Sequence, residues 1–435
     1  MNADTAKGPG FFRRTLLNYR TETGQSLGLW LFLALINLIT QMIFRRDLAP
    51  GEFGTLNTAL GMIGLMTVPL LALNQAFTHY LMRPRAAGPD ARLDSLRATA
   101  PIATETLAWI WGALSILLIF LLLPLLHLPR FSLELFIVLN VLINLGGLVS
   151  WTKCQAGNQL RFWAWLVAIA ALARVFVTIG LAWQAPWAEA GLAAFLLAGF
   201  ITLAPILRSR ETSTAAMRIK AFQNSIDRDF LLFAGATFSV LLGLFLLSNA
   251  DRIIAQSWFG VATNNNMGLV NWGVFDAYQT AGLLGRSLIW GAQPLLWILF
   301  AQRSRLDKTT AASLTFFWIH LGVLVLGAIL LDFFASPLSR LFCGDNYQST
   351  AIFIPSFAAV MVLLGLLQAL GIFCLASRRY HECFVLGGCA VGYTLLLYLA
   401  GRQPQLMLAY MFGSGLVSLM MVLFVGVVRW GRKQP

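Results

Sequence analysis

The chain has 435 residues, of which 58% are hydrophobic and only 11% charged, with a mean hydropathy of +0.74. Soluble proteins carry about 25% charged residues, so a water-exposed surface of this size cannot be covered. The net charge of +13 sits in short clusters between apolar runs, which excludes the long basic arm of a nucleic-acid-binding protein.

Residues 1–24 are polar, and their Phe11-Phe12-Arg13-Arg14 and Asn18-Tyr19-Arg20 stretches predict an amphipathic segment lying on anionic headgroups. No cleavable signal is predicted, because no small-residue cleavage site follows the first apolar run. Apolar runs long enough to cross a hydrocarbon core, about 20 residues each, follow in chain order. They fall near 25–44, 55–81, 103–126, 132–151, 162–183, 190–207, 230–249, 267–300, 312–333, 351–374, 383–400 and 406–428. The expected fold class is an all-α polytopic membrane protein with about 12 transmembrane helices.

With the N-terminus placed inside, 23 of the 31 Lys and Arg residues fall on the cytoplasmic side. Six fall in external loops and two, Arg174 and Arg286, lie within spans. This bias predicts cytoplasmic termini. The basic stretch between spans 6 and 7 divides the chain into two halves of six spans, a recurrent transporter plan. The expected organisation is an N-terminal segment 1–24, a first bundle 25–207, a linker 208–229, a second bundle 230–428 and a basic tail 429–435.

No phosphate-binding loop, HExxH, GxSxG or clustered carboxylate pair is present. His79, His127, His320 and His381 are scattered, and Cys154, Cys343, Cys374, Cys383 and Cys389 have no metal-ligand spacing. No catalytic residue, cofactor or metal is expected, and the protein is read as a non-enzyme.

Polar residues instead form stripes along single helices. Span 1 aligns Ser26, Trp30, Asn37 and Gln41. Span 2 groups Asn57, Gly61, Gly64, Thr67, Asn74, Gln75, Thr78 and His79, and span 8 groups Asn271, Gln279, Gly282, Arg286 and Gln293. One such stripe is explained by helix packing. Three of them, on the first two helices of one half and the second of the other, suit a water-filled central cavity. Arg286 is the sharpest residue, since an arginine at mid-span costs about 2.5–3.5 kcal/mol and must face a cavity or a partner. The carboxylate on its own helix, Asp276, is ten residues away, about 15 Å along the axis. A substrate-contacting and a structural Arg286 both stay open, as they do for Arg174. Arg45, Arg46, Asp251 and Arg252 are expected at the external mouths of spans 1 and 7. Asp276 is a candidate for ion coupling, and Asn264-Asn265-Asn266 for the turn opening span 8.

Leu48-Ala49-Pro50-Gly51-Glu52-Phe53-Gly54 after span 1 resembles the L-x-P-x-E-[FY]-G signature of the polysaccharide exporters. These include the O-antigen (Wzx-type) flippases of the multidrug/oligosaccharidyl-lipid/polysaccharide (MOP) superfamily. Ala250-Asp251-Arg252-Ile253-Ile254-Ala255 with Phe259-Gly260 resembles the second-half counterpart, although Thr263 to Asn266 lengthen the step that follows. The resemblance implies an alternating-access bundle with a V-shaped cavity lined by spans 1, 2, 7 and 8. It also implies the transfer of an undecaprenyl-pyrophosphate-linked oligosaccharide across a bacterial inner membrane for polysaccharide biosynthesis. On this reading Arg286, helped by Arg174 or Arg252, meets the pyrophosphate. Asn37, Gln41, Asn57, Asn74, Gln75, Asn271 and Gln279 meet the glycan. Membrane lipids surround the protein, and a polysaccharide polymerase or glycosyltransferases are the further partners. Two rivals are a cation-coupled multidrug exporter, which would want deep carboxylates, and a non-transporting membrane subunit of a polysaccharide synthase.

Overall fold

The computed structural model describes residues 23–81, 91–126, 130–157, 159–182, 184–208, 228–259, 273–289, 310–344, 348–400 and 403–431. Among them every regular element is a helix. In chain order these are α1 (Thr23–Asp47), α2 (Glu52–Leu81), α3 (Ala91–Leu126), α4 (Phe131–Ala156), α5 (Leu160–Ala182), α6 (Ala188–Ile201) and α7 (Ala204–Arg208). The second half has α8 (Arg228–Phe259), α9 (273–289), α10 (Thr310–Phe333), α11 (Ala335–Cys343), α12 (Gln348–Ala351), α13 (Ile354–Ala376), α14 (Tyr380–Ala400) and α15 (Pro404–Gly431). Eight of the described helices are long and apolar enough to cross a membrane, and the bent pair of α10 and α11, turned by 69° at its break, makes a ninth. Each of the twelve expected spans overlaps a helix. The N-terminal amphipathic segment, the linker up to Asp227 and the Asn264–Asn266 turn lie outside the described residues.

The helices pack as two bundles. In the first, α3 lies on α4, α5 on α6, α1 on α5, and α2 reaches α3, α4 and α6. In the second, α8 packs on α14 and α13, α10 on α13, and α15 on α14 and α13. Lipid does not drive helices together as water would, so close approach rests on small residues. Gly243 of α8 and Gly387 of α14 show this directly. A Cβ at Gly243 would sit 3.2 Å from the Leu386 carbonyl oxygen, and one at Gly387 3.1 Å from that of Ser239. Outward faces carry exposed Trp109, Phe176, Phe333 and Leu399, as lipid-facing surfaces should.

The bundles meet mainly through α2 and α8. Pro69 lies inside α2 without ending it, and the Met66 carbonyl accepts from the Trp111 indole N–H at 2.5 Å. At the end that the charge bias assigns to the cytoplasm, Phe77, His79 and Tyr80 of α2 pack on Phe230 and Phe233 of α8. The Phe77–Phe230 and His79–Phe233 ring centroids are 5.0 and 4.4 Å apart.

The opposite end is built from the Leu48–Gly54 motif. Gly51 has φ +83°, a left-handed conformation that favours glycine. Glu52 accepts from Arg130 Nη2 at 2.6 Å and from the Ala188 N–H at 2.9 Å, fixing the start of α6. Gly54 lies so close against the Phe275 ring that a Cβ would overlap it. The resembling motif thus sets a helix corner at the junction of the two bundles.

Candidate functional site between the bundles and within the first

Residues 250–255 are not at a mouth. α8 runs on to Phe259, ten residues past the predicted end of span 7, because flanking Leu247, Ala250, Ile254 and Ala255 are buried against neighbouring helices. Asp251 and Arg252 are therefore carried inside the fold, at 0% and 8% exposure. This corrects their predicted place at the membrane surface.

The partner of Arg286 is Asp251, on the adjacent helix. Arg286 Nη2 donates to both Asp251 oxygens at 2.8 and 2.7 Å, and its Nε donates to the Ser248 carbonyl at 2.6 Å. The Tyr278 hydroxyl completes the carboxylate at 2.9 Å, and the Phe357 ring lies 5.7 Å from the guanidinium carbon. Spacing along span 8 offers Arg286 only Asp276, since periodicity within one helix carries no signal for an acid on the preceding span. The pairing of Asp251 and the part played by Tyr278 are thus features that sequence reasoning missed. The available signal was the deep arginine itself, which requires an acid on some other span when its own helix supplies none.

Asp276 has a different task. Its carboxylate accepts from the Gly51 and Gly54 N–H groups at 2.8 and 2.9 Å, at the start of α2. A carboxylate there satisfies orphan donors and complements the helix dipole. Arg45 lies 3.9 Å from it and donates to Thr280 at 2.9 Å, while Arg46 donates to the Leu341 carbonyl of α11 at 2.8 Å. Together these contacts latch the two bundles at one end.

Arg252 is left without an acid of its own among the described residues. Its guanidinium lies across Gly61, where a Cβ would approach Nε to 2.7 Å, and that Nε has no hydrogen-bond partner. Its main-chain carbonyl accepts from Thr58 at 3.0 Å and from the Gln279 amide at 3.3 Å, while Gln279 Oε1 is unpartnered. Gln256, one turn along α8, has an unpartnered Nε2 and an Oε1 3.4 Å from Thr55. A buried cation and two buried amides with open valences therefore face α2 together.

The other predicted residues separate into two kinds. Asn57 donates to the Phe53 carbonyl of its own turn at 3.1 Å. Asn74 is locked into the first bundle, donating to Leu148 at 2.9 Å and accepting from Thr152. Thr78 bonds Gln155 of α4, so part of the span 2 stripe is a packing face and not a wall of the predicted V-shaped cavity. Gln41 is buried with an unpartnered Oε1, and Gln75 is half-buried. Asn37 and Arg174 come together in a cavity of about 420 Å³ inside the first bundle, where Arg174 stacks 4.5 Å over the Phe195 ring. Asn271 lies outside the described residues.

No protein-family model matches the sequence, and no curated protein does. Solved structures do. A multidrug resistance MATE family transporter of the MOP superfamily, inward-facing, aligns at TM-score 0.61 over 93% of this chain and 96% of its own, with 12% identity. Lipid II flippase MurJ, in an inward closed conformation, aligns at 0.62 over 91% and 86%, with 13% identity. The chain has the MOP transporter fold. A Vibrio cholerae MATE transporter, VcmN, aligns at 0.56 over 93% and 96% with 13% identity, so the likeness in fold spans both bundles.

Proposed function

We propose that this protein is a membrane transporter of MOP type that flips a lipid-linked oligosaccharide across a bacterial inner membrane. The observation that carries this reading is Arg252. It is a buried guanidinium at the junction of the bundles whose neighbouring carboxylate, Asp251, is already occupied by Arg286 and Tyr278. A cation kept without its own acid suits an anionic headgroup such as a diphosphate, which a guanidinium grips through paired N–H donors. Arg252, with Arg286 held in reserve by its ion pair, is then the phosphate-facing group. Gln279, Gln256 and Gln41 offer amide valences to sugar hydroxyls as the bundles part. The motif resemblance and the likeness to a lipid II flippase both support this reading.

A multidrug-exporting cycle is favoured by the MATE transporters among the structural neighbours. It would have to free Asp251 or Asp276 from contacts that now fill them.

The test is leaflet transfer in proteoliposomes with a fluorescent undecaprenyl-pyrophosphate glycan. Wild type should transfer it, and folded Arg252→Gln should lose the activity by at least about tenfold, the weight of one charge-assisted hydrogen bond. Transfer of a fluorescent organic cation in its place would move the reading to the multidrug exporter. No transfer of either by folded protein, under a proton or sodium gradient, would move it to a non-transporting synthase subunit.

A further inference from the structure

We propose that the first bundle holds a small anion beside Arg174, in a site separate from the junction of the bundles. The cavity of about 420 Å³ is lined by Asn37, Thr67, Asn144, Trp163, Arg174 and Thr202 among apolar neighbours. Every lining residue comes from α1, α2, α4, α5, α6 or the turn after α6, so none belongs to the second bundle. Arg174 is its one charged group among the described residues, and no carboxylate lines it.

The donors in the cavity can be accounted for one by one. Thr67 and Thr202 spend their hydroxyl hydrogens on the Gly64 and Gly199 carbonyls at 2.7 and 2.6 Å. Asn144 spends an amide hydrogen on the Asn140 carbonyl at 2.8 Å. Arg174 Nε is buried without a partner, and Asn37 brings an amide to the same cavity. A guanidinium with an unspent N–H and an amide therefore meet in one half-open cavity.

The energy balance asks for a ligand. Arg174 is half-buried, and an ion that loses part of its hydration carries a penalty even after the protein has relaxed around it. The stack of Arg174 on Phe195 returns only a small part of that penalty. A bound anion supplies the missing counter-charge, and the apolar walls strengthen that attraction. The volume admits an ion of phosphate or short-carboxylate size together with water. The site does not rest on the transport reading, and it goes beyond it.

Trp163 makes the site measurable, because it lines the same cavity. Full-length protein in detergent would be titrated with sodium phosphate at constant ionic strength, following the unfolding midpoint and iodide quenching of fluorescence. Phosphate should raise the midpoint saturably and protect the fraction of fluorescence that Trp163→Phe removes. Arg174→Gln should weaken phosphate binding by about tenfold or more, the effect of one charge-assisted hydrogen bond. Arg174→Lys should fall between the two, because charge is kept and the planar fork is lost. Arg340→Gln, on an exposed cation of α11, should change nothing. A folded wild type with no saturable phosphate response, or an Arg174→Gln variant of undiminished affinity, overturns the proposal. Should Arg174→Gln fail to fold, Asn37→Ala decides the matter, and an unchanged phosphate affinity in that variant overturns it equally.

Discussion

The ion pair of Arg286 and Asp251 is the strongest residue-level commitment in the structure, since both groups are almost fully buried, with side-chain exposures of 4% and 0%. Removing one member leaves the other charged and unpaired, which costs about 3–5 kcal/mol, whereas removing both can be nearly neutral. Asp251→Asn should therefore lower the detergent unfolding midpoint strongly. Asp251→Asn with Arg286→Gln should recover part of the loss, and a double-mutant cycle in purified protein reads the coupling. A double variant no more stable than the worse single variant would show that Arg286 and Asp251 are not coupled. Arg252 should behave differently. Its replacement by Gln should leave the midpoint close to that of wild type while transfer falls, because no carboxylate is orphaned by the change.

At the scale of elements, glycines decide where helices come together. Gly54→Ala would push a methyl group into the edge of the Phe275 ring, where no space is left for it. Overpacking of this kind costs about 1–3 kcal/mol, and it also disturbs the Gly54 N–H that donates to Asp276. Lower stability and a weakened contact between α2 and α9 are expected, checked by thermal unfolding and by hydrogen exchange at residues 51–55. Gly387→Leu should do more harm than Gly388→Leu, although the two are neighbours. A Cβ at Gly387 meets the backbone of α8 at 3.1 Å, and one at Gly388 meets nothing within 4 Å. Equal unfolding midpoints for the two variants would contradict the close approach of α8 and α14.

For the whole molecule, the two ends of the junction differ in chemistry. One is latched by polar contacts from Asp276, Arg45 and Arg46, the other by the rings of Phe77, His79, Tyr80, Phe230 and Phe233. Hydrogen bonds to a charged group contribute about 1.5–3 kcal/mol each, and water can replace them at an open mouth. Aromatic burial has no such substitute. Asp276→Asn should shift the population towards opening at the latched end, since the side chain then loses its charge against the Gly51 and Gly54 N–H groups. Spin labels on the neighbouring ends of α1 and α11 should report longer distances in that variant than in wild type. Unchanged distance distributions would remove Asp276 from the latch.

Much of the molecule was legible along the chain because its solvent is lipid. A helix must satisfy its own backbone in a bilayer, so each run of about 20 apolar residues announced a helix, and charge scarcity announced the environment. Hydropathy by itself also stopped span 7 too early. Asp251 and Arg252 read as a water-facing end, yet α8 continues through them because Arg286 and Tyr278 receive the carboxylate. Asn74 and Thr78 likewise read as cavity residues and proved to be bonded within the first bundle.

The sequence alone determined the all-α class and the succession of membrane-length helices, since these depend on local composition and on the thickness of a membrane. Only the tertiary structure decided which charges are matched. It paired Arg286 with Asp251, turned Asp276 into a cap for α2, and left Arg252 and Arg174 without acids among the described residues. The physical reason is that an ion's worth inside a membrane depends on what stands within a few ångströms of it. Those neighbours come from other helices, 35 residues away for Asp251 and Arg286 and 225 for Asp276 and Gly51.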